Sequence, residues 1–297
     1  MPLHLGRHAK HRFLKRTAHI LAAILILFML AYPFIEPNVL NVHMTAIEST
    51  AFPSSLRPLR IVFVSDIHMQ SWPFFTQSGL SGLVRKINAQ NPDLVLFGGD
   101  YAESPEKTEA FFRALPVIRA NYGVFAVLGE HDIPEDPDQM SLLRAAMVAK
   151  NVTPLVNDVV PVRIGMDTSI LVAGLDDLTT GSPNLQALSA QCRNEQFVIF
   201  LCHNPEVIQD AQLALDMNGK RNWFDLGLFG HTHGGQIAPF RELLGISPTV
   251  PDEYIHGIIS EGKTTYVISN GVGTSKLPIR LFCPPEINVI TVAYPKL

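Results

Sequence analysis

The chain has 297 residues, 47% of them hydrophobic and 17% charged, with a formal net charge of -4. Five cations (Arg7, Lys10, Arg12, Lys15, Arg16) precede Glu36 with no acid among them, so the remainder holds 18 basic and 27 acidic residues, a balance of -9. An acidic body argues against a nucleic-acid partner, which needs a basic stripe. Three cysteines with no CxxC exclude a disulfide framework, a zinc ribbon and thioredoxin-type redox chemistry.

Thr17 to Ile35 carries no Lys, Arg, Asp or Glu and centres on Leu21-Ala-Ala-Ile-Leu-Ile-Leu-Phe-Met-Leu-Ala. That is close to the roughly 20 residues that cross a hydrocarbon core of about 30 Å. The stretch is expected to be a transmembrane anchor. A cleaved signal peptide would want a small-x-small cleavage site, and Tyr32-Pro33-Phe34 follows instead; a buried core helix is the third reading. Cations before the span and Glu36 after it predict a cytoplasmic N-terminus and a body outside the cytoplasm. The expected divisions are residues 1–36 (basic N-terminus and anchor), 37–58 (a linker with one strand, Leu40 to Ile47) and 59–297 (one large domain).

From Leu59 onward strands and helices alternate. Arg60 to Ser65, Asp93 to Phe97, Gly123 to Leu128, Ser169 to Leu175, Phe197 to Leu201 and Leu226 to Phe229 read as strands, most as continuous apolar runs buried on both faces. Gly79 to Gln90 puts Leu80, Leu83, Val84 and Ile87 on one helical stripe. Ser104-Pro105 starts a helix toward Arg119 that Pro116 ends or kinks. Met140 to Lys150, Pro183 to Cys192 and Glu206 to Leu215 read as helices, and Val152 to Ile164 as a hairpin region. Ala238 to Ile255 is a long loop or lid, with Phe240, Leu243, Leu244 and Ile246 as apolar surface. Thr264 to Ser269 and Glu286 to Ala293 close the chain as strands. The pattern predicts an α/β fold with a mixed sheet or two sheets.

The chemistry sits after the strands. Asp66-Ile67-His68 follows the first buried run, Gly98-Gly99-Asp100 the second and Gly129-Glu130-His131-Asp132 the third. His203-Asn204-Pro205 follows the Phe197 run, and Gly230-His231-Thr232-His233-Gly234-Gly235-Gln236 the Leu226 run. Ligands in open α/β sheets bind outside the carboxyl ends of the strands, so these pieces should gather at one edge. Taken singly, Asp66 has an ordinary role as a helix cap, Asp100 and Asp132 as turn residues, and His203 as a satisfied strand-end histidine. Taken together, Asp66, His68, Asp100, Glu130, His203, His231 and His233 are seven donors, too many for one ion and suited to two divalent ions. Carboxylate and imidazole donors favour Mn²⁺, Fe or Zn²⁺ over Ca²⁺, and no Cys ligand means no closed structural zinc site. Two such ions about 3.5–4 Å apart clamp a phosphoryl group and supply a hydroxide nucleophile. His131, beside the donors, is placed to protonate a leaving oxygen, and Asn204 to stabilise developing charge.

This order of motifs, D-x-H, G-G-D, G-x-H-D, H-N-P and G-H-T-H-G-G-Q, resembles the calcineurin-like metallophosphoesterase superfamily from about Arg60 to the C-terminus. The ending, Gly271 to Arg280 and then Pro284-Pro285-Glu286-Ile287, is similar to a bacterial branch whose members carry an N-terminal membrane span or export signal. The resemblance implies a four-layer αββα sandwich with a dinuclear centre. It implies that Asp66, His68, Asp100 and His233 hold one metal, that Asp100 bridges, and that Asp100, Glu130, His203 and His231 hold the second. His131 matches the histidine that assists the leaving group and touches substrate. Glu130 departs from the pattern, which has Asn there. The expected activity is hydrolysis of a phosphate ester or pyrophosphate by a membrane-held monomer, with lipid- and cell-wall-linked phosphates within reach. The alternative is a degenerate, non-catalytic metal- or phosphate-binding module in which Glu130 has cost the chemistry.

Overall fold

A computed structural model describes residues 5–69, 77–166, 168–193, 195–240 and 250–295. Of the expected lid, Leu243, Leu244 and Ile246 lie outside these residues, and Phe240 is exposed.

Helix α1 (Leu5–Ile35) leads into a 3₁₀ turn (Glu36–Asn38) and strand β1 (Asn41–Glu48). The alternation then runs β2 (Leu59–Val64), α2 (Gln77–Ala89), β3 (Leu94–Phe97), α3 (Pro105–Ala114), β4 (Val124–Ala126), α4 (Pro137–Val148) and β5 (Val152–Pro154). The second half holds β6 (Asp158–Arg163), β7 (Ser169–Gly174), α5 (Leu185–Ser189), β8 (Val198–Leu201), α6 (Ile208–Leu213), β9 (Leu226–Phe229), β10 (Gly257–Glu261), β11 (Thr264–Ile268) and β12 (Glu286–Ala293). These strands form two six-stranded sheets, ordered β1-β12-β2-β3-β4-β5 and β10-β11-β9-β8-β7-β6.

The period-two geometry of a strand explains the continuous apolar runs. In β2, Ile61 and Phe63 face a core shared by the two sheets, whereas Val62 and Val64 face a second core against α2, α3 and α4. In β8, Ile199 and Leu201 join the shared core, and Val198 and Phe200 a third core beneath α5 and α6. Three apolar layers therefore separate helix, sheet, sheet and helix, the expected four-layer sandwich. Ser104 caps α3 with Pro105 at its first position, and the helix stops at Ala114, ahead of Pro116.

The Val152 to Ile164 stretch is not a hairpin. Strand β5 pairs in parallel with β4 in the first sheet, and β6 pairs antiparallel with β7 in the second, so this segment is where the chain changes sheets. Strand β10 pairs antiparallel with β11 and was not anticipated from the sequence.

Among the described residues, one helix is long and apolar enough to cross a membrane (His11–Asn38), and its most apolar stretch is unburied. Its end is fastened to the body. Pro33 O accepts from Arg280 N–H at 3.0 Å, and the buried Glu36 carboxylate accepts from the Phe282 and Cys283 amides at 3.0 and 2.6 Å.

Candidate metal centre

Strands β2, β3 and β4 are parallel neighbours, as are β8 and β9 in the facing sheet. Their carboxyl ends deliver all seven expected donors to one place. The backbone there is bent hard: Asp66, His68, Asp100, His231 and His233 all have φ between 44° and 67°. Non-glycine residues hold this left-handed region only where surrounding structure imposes it, and such positions concentrate at functional sites. Gly99 (φ 96°) permits the crowding, since a Cβ there would lie 2.7 Å from both Gly129 N and His203 Nδ1.

One group of donors is Asp66, His68 and His233, all buried; another is Glu130, His203 and His231. Asp100 stands between them, its Oδ2 3.4 Å from His68 Nε2 and 3.5 Å from His203 Nε2. His233 Nε2 lies 3.6 Å from Asp66 Oδ1 and 3.1 Å from His68 Nε2. Glu130 reaches His203 Nε2 at 2.9 Å and His231 Nδ1 at 3.0 Å.

These donors fit a metal. His203 Nδ1–H donates to Gly98 O at 2.7 Å and His68 Nδ1–H to Glu103 Oε1 at 2.9 Å. Each bond leaves the other ring nitrogen, Nε2, as a lone pair turned into the cluster, the arrangement typical of metal-ligating histidine. Two buried imidazole nitrogens 3.1 Å apart beside carboxylates are explained by a shared cation or proton. Burial disfavours the charged form of His203, yet Asp100 and Glu130 raise its pKa well above the ordinary range. Burial opposes it for Glu130 as well, yet His203 and His231 hold that carboxyl far below the usual carboxylate range. His233 is pushed the other way, by burial and then by His68 and Arg280.

His131, with 37% of its side chain exposed, stands at the rim. Its Nε2 is 3.9 Å from Asp100 Oδ2, and its amide donates to Asp100 Oδ1 at 3.2 Å. Asn204 is buried, and its Oδ1 accepts from Leu178 N–H at 3.1 Å.

Residues 59–235, more than half of the chain, match the family model for the calcineurin-like phosphoesterase. The chain belongs to this family. Among its relatives within the calcineurin-like phosphoesterases is a Bacillus subtilis (strain 168) protein named uncharacterized metallophosphoesterase YkuE. It is 29% identical over 263 residues, 87% of each chain. Phosphodiesterase YaeI of Escherichia coli (strain K12) is 29% identical over 246 residues, covering 80% of this chain and 84% of that one. A transmembrane protein with metallophosphoesterase domain from Bos taurus is 29% identical over 252 residues, covering 79% of this chain and 53% of that one.

Three contributors to this phosphoesterase site escaped the sequence reading. Glu103 orients His68 from 35 positions away. Asp132, read singly as a turn residue, accepts from the amides of Asp100 (2.7 Å), Tyr101 (3.1 Å) and Gly129 (2.9 Å) and from Thr108 Oγ1 (2.7 Å), locking two loops together. Burial and the nearby Asp100 push its pKa up to about 7. Cys283 places Sγ 3.1 Å from His233 O, and its amide donates to Glu36, so it joins the foot of α1 to a candidate donor loop. Only Asp132 had a signal, its fixed place in the G-x-H-D motif.

Proposed function

We propose that the chain is a dinuclear-metal-dependent phosphoester hydrolase. The observation that carries this reading is Asp100, one carboxylate oxygen set 3.4 and 3.5 Å from histidines of two separate donor groups, as a bridging ligand must be. Asp66, His68, Asp100 and His233 would hold one ion; Asp100, Glu130, His203 and His231 the other. Divalent ions of the Mn, Fe or Zn kind would supply Lewis acidity and lower the pKa of water.

The chain's own residues do the rest. His131, at the rim and beside Asp100, meets the substrate and gives a proton to the leaving oxygen. Asn204, anchored through its carbonyl by Leu178, offers its amide group to a phosphoryl oxygen. Glu103 keeps His68 in the tautomer that presents Nε2, and Asp132 fixes the spacing between the Asp100 and Glu130 loops. The long apolar α1 supports anchoring in a membrane. In this reading the N-terminus is cytoplasmic, the catalytic domain lies on the other side, the chain is a monomer, and lipid- or cell-wall-linked phosphates are its substrates.

Elemental analysis of the purified protein, with hydrolysis of bis(p-nitrophenyl) phosphate before and after chelation, tests the proposal. Two ions per chain and activity that chelation removes are expected. An inert protein holding one ion or none would instead support the non-catalytic module.

A further inference from the structure

Helix α1 meets the body without a free tether. Only residues 36–40 separate it from β1, whose first amide, at Asn41, donates to Pro285 O at 2.9 Å. Within that short link Glu36 is buried and holds the Phe282 and Cys283 amides. The last turn of an α-helix leaves carbonyls without donors of its own. At α1 the shortage is sharper, because Pro37, four residues after Pro33, has no N–H. Asn38 Nδ2–H donates to Phe34 O at 3.1 Å, and Arg280 N–H donates to Pro33 O at 3.0 Å. The body thus completes the helix end, and it does so at residue 33, inside the uncharged stretch Thr17 to Ile35.

The side chain carried to that level is Phe282. Its ring centroid is 6.2 Å from that of Tyr32, also within the stretch, and the residue is 70% exposed. Its backbone is left-handed, with φ 55°, an outlier for a bulky residue. Such strain persists where surrounding structure imposes it, as the two bonds from Glu36 do here. In water the arrangement costs twice, in backbone strain and in exposed apolar surface. Lipid removes the second cost. Phe34 and Ile35 on the adjoining face of the link are exposed as well, and Tyr32 is of a residue type enriched at membrane–water interfaces.

We infer that the Arg280–Cys283 turn is a second membrane contact, its Phe282 ring lying beside Tyr32 at the boundary between lipid headgroups and acyl chains. The catalytic body is then docked on the bilayer instead of hanging from α1. This rests on the anchoring reading above and adds to it a surface of the folded body whose partner is the bilayer itself. The turn ends at Cys283, whose Sγ is 3.1 Å from His233 O, so docking sets that donor loop directly behind the lipid surface.

The test uses the full chain in phosphatidylcholine vesicles, with one added thiol carrying a nitrobenzoxadiazole fluorophore. Cys192, Cys202 and Cys283 are buried, so the added thiol takes the label. The probe sites are Phe282→Cys, Leu25→Cys in the middle of α1, and Met166→Cys, a 91% exposed position between β6 and β7. Nitroxide-bearing lipids should quench the probes of Leu25→Cys and Phe282→Cys, and iodide should fail to reach them; Met166→Cys should behave in the opposite way. Iodide quenching of Phe282→Cys with lipid quenching of Leu25→Cys would overturn the docking and leave the anchor intact. Shielding of Phe282→Cys from both quenchers would put the turn under a second copy of the chain and also overturn it. Iodide quenching at Leu25→Cys sinks the anchoring reading itself. The unsubstituted chain supplies an independent check: phosphatidylcholine with a diazirine near the glycerol end of its acyl chain should label Phe282 on illumination. Label on α1 with none on residues 280–283 would count against the contact.

Discussion

The two halves of the proposed centre are built differently. In one, Asp66 and His68 have at most 1% of their side chains exposed, and the short Asp66 carboxylate and the Glu103-held imidazole of His68 leave little room for adjustment. In the other, Glu130 and His231 keep 21% and 25% exposed, and the longer Glu130 side chain pairs with two histidines at once. Desolvated charges interact more strongly than wet ones. If both halves hold an ion, the dry half is expected to be the tighter and more specific site, and the wetter half the one that loads and empties.

The largest effect should come from the residue that joins the halves. Asp100→Asn is expected to abolish turnover and to lower metal content on both sides; near-wild-type rates in metal-replete buffer would break the comparison by removing its bridge. Next is His131→Ala, which should cut kcat by about 10²–10⁴ with both ions retained, as for loss of a general acid. Metal loss in that variant would move His131 into the ligand set. Glu103→Ala should weaken the dry half by about 10–100-fold in a chelator competition, the usual scale for removing the group that orients a metal-bound histidine. If the wetter half emptied first, the assignment of halves would be inverted. The smallest effect on rate belongs to Glu130→Asn, which restores the family's usual residue. Activity should be retained or raised while the second ion is lost more readily to chelator. A dead enzyme with both ions in place would give Glu130 a chemical role.

Most of this centre was legible in the sequence because of how its strands are buried. Strands covered on both faces read as uninterrupted apolar runs, so each run's end was visible, and each donor motif sits at such an end. The fold class followed from the same alternation. What stayed hidden depends on pairing across distance. The three residues of β5 carry no pattern that says which sheet they join, so the change of sheet between β5 and β6 read as a hairpin. Strand β10 has a partly exposed face and lacks the apolar signature. Glu103 and Cys283 work through contacts with residues 35 and 50 positions away, which no local spacing records.

The position of β12 has a consequence for biosynthesis. The last strand of the chain is inserted between β1 and β2, parallel to one and antiparallel to the other. Until residues 286–293 leave the ribosome, the first sheet has a one-strand gap, flanked by two unpaired edges that invite misassociation. All the proposed ligands have been translated by then, so maturation of this protein waits on a segment that holds no metal and touches no substrate.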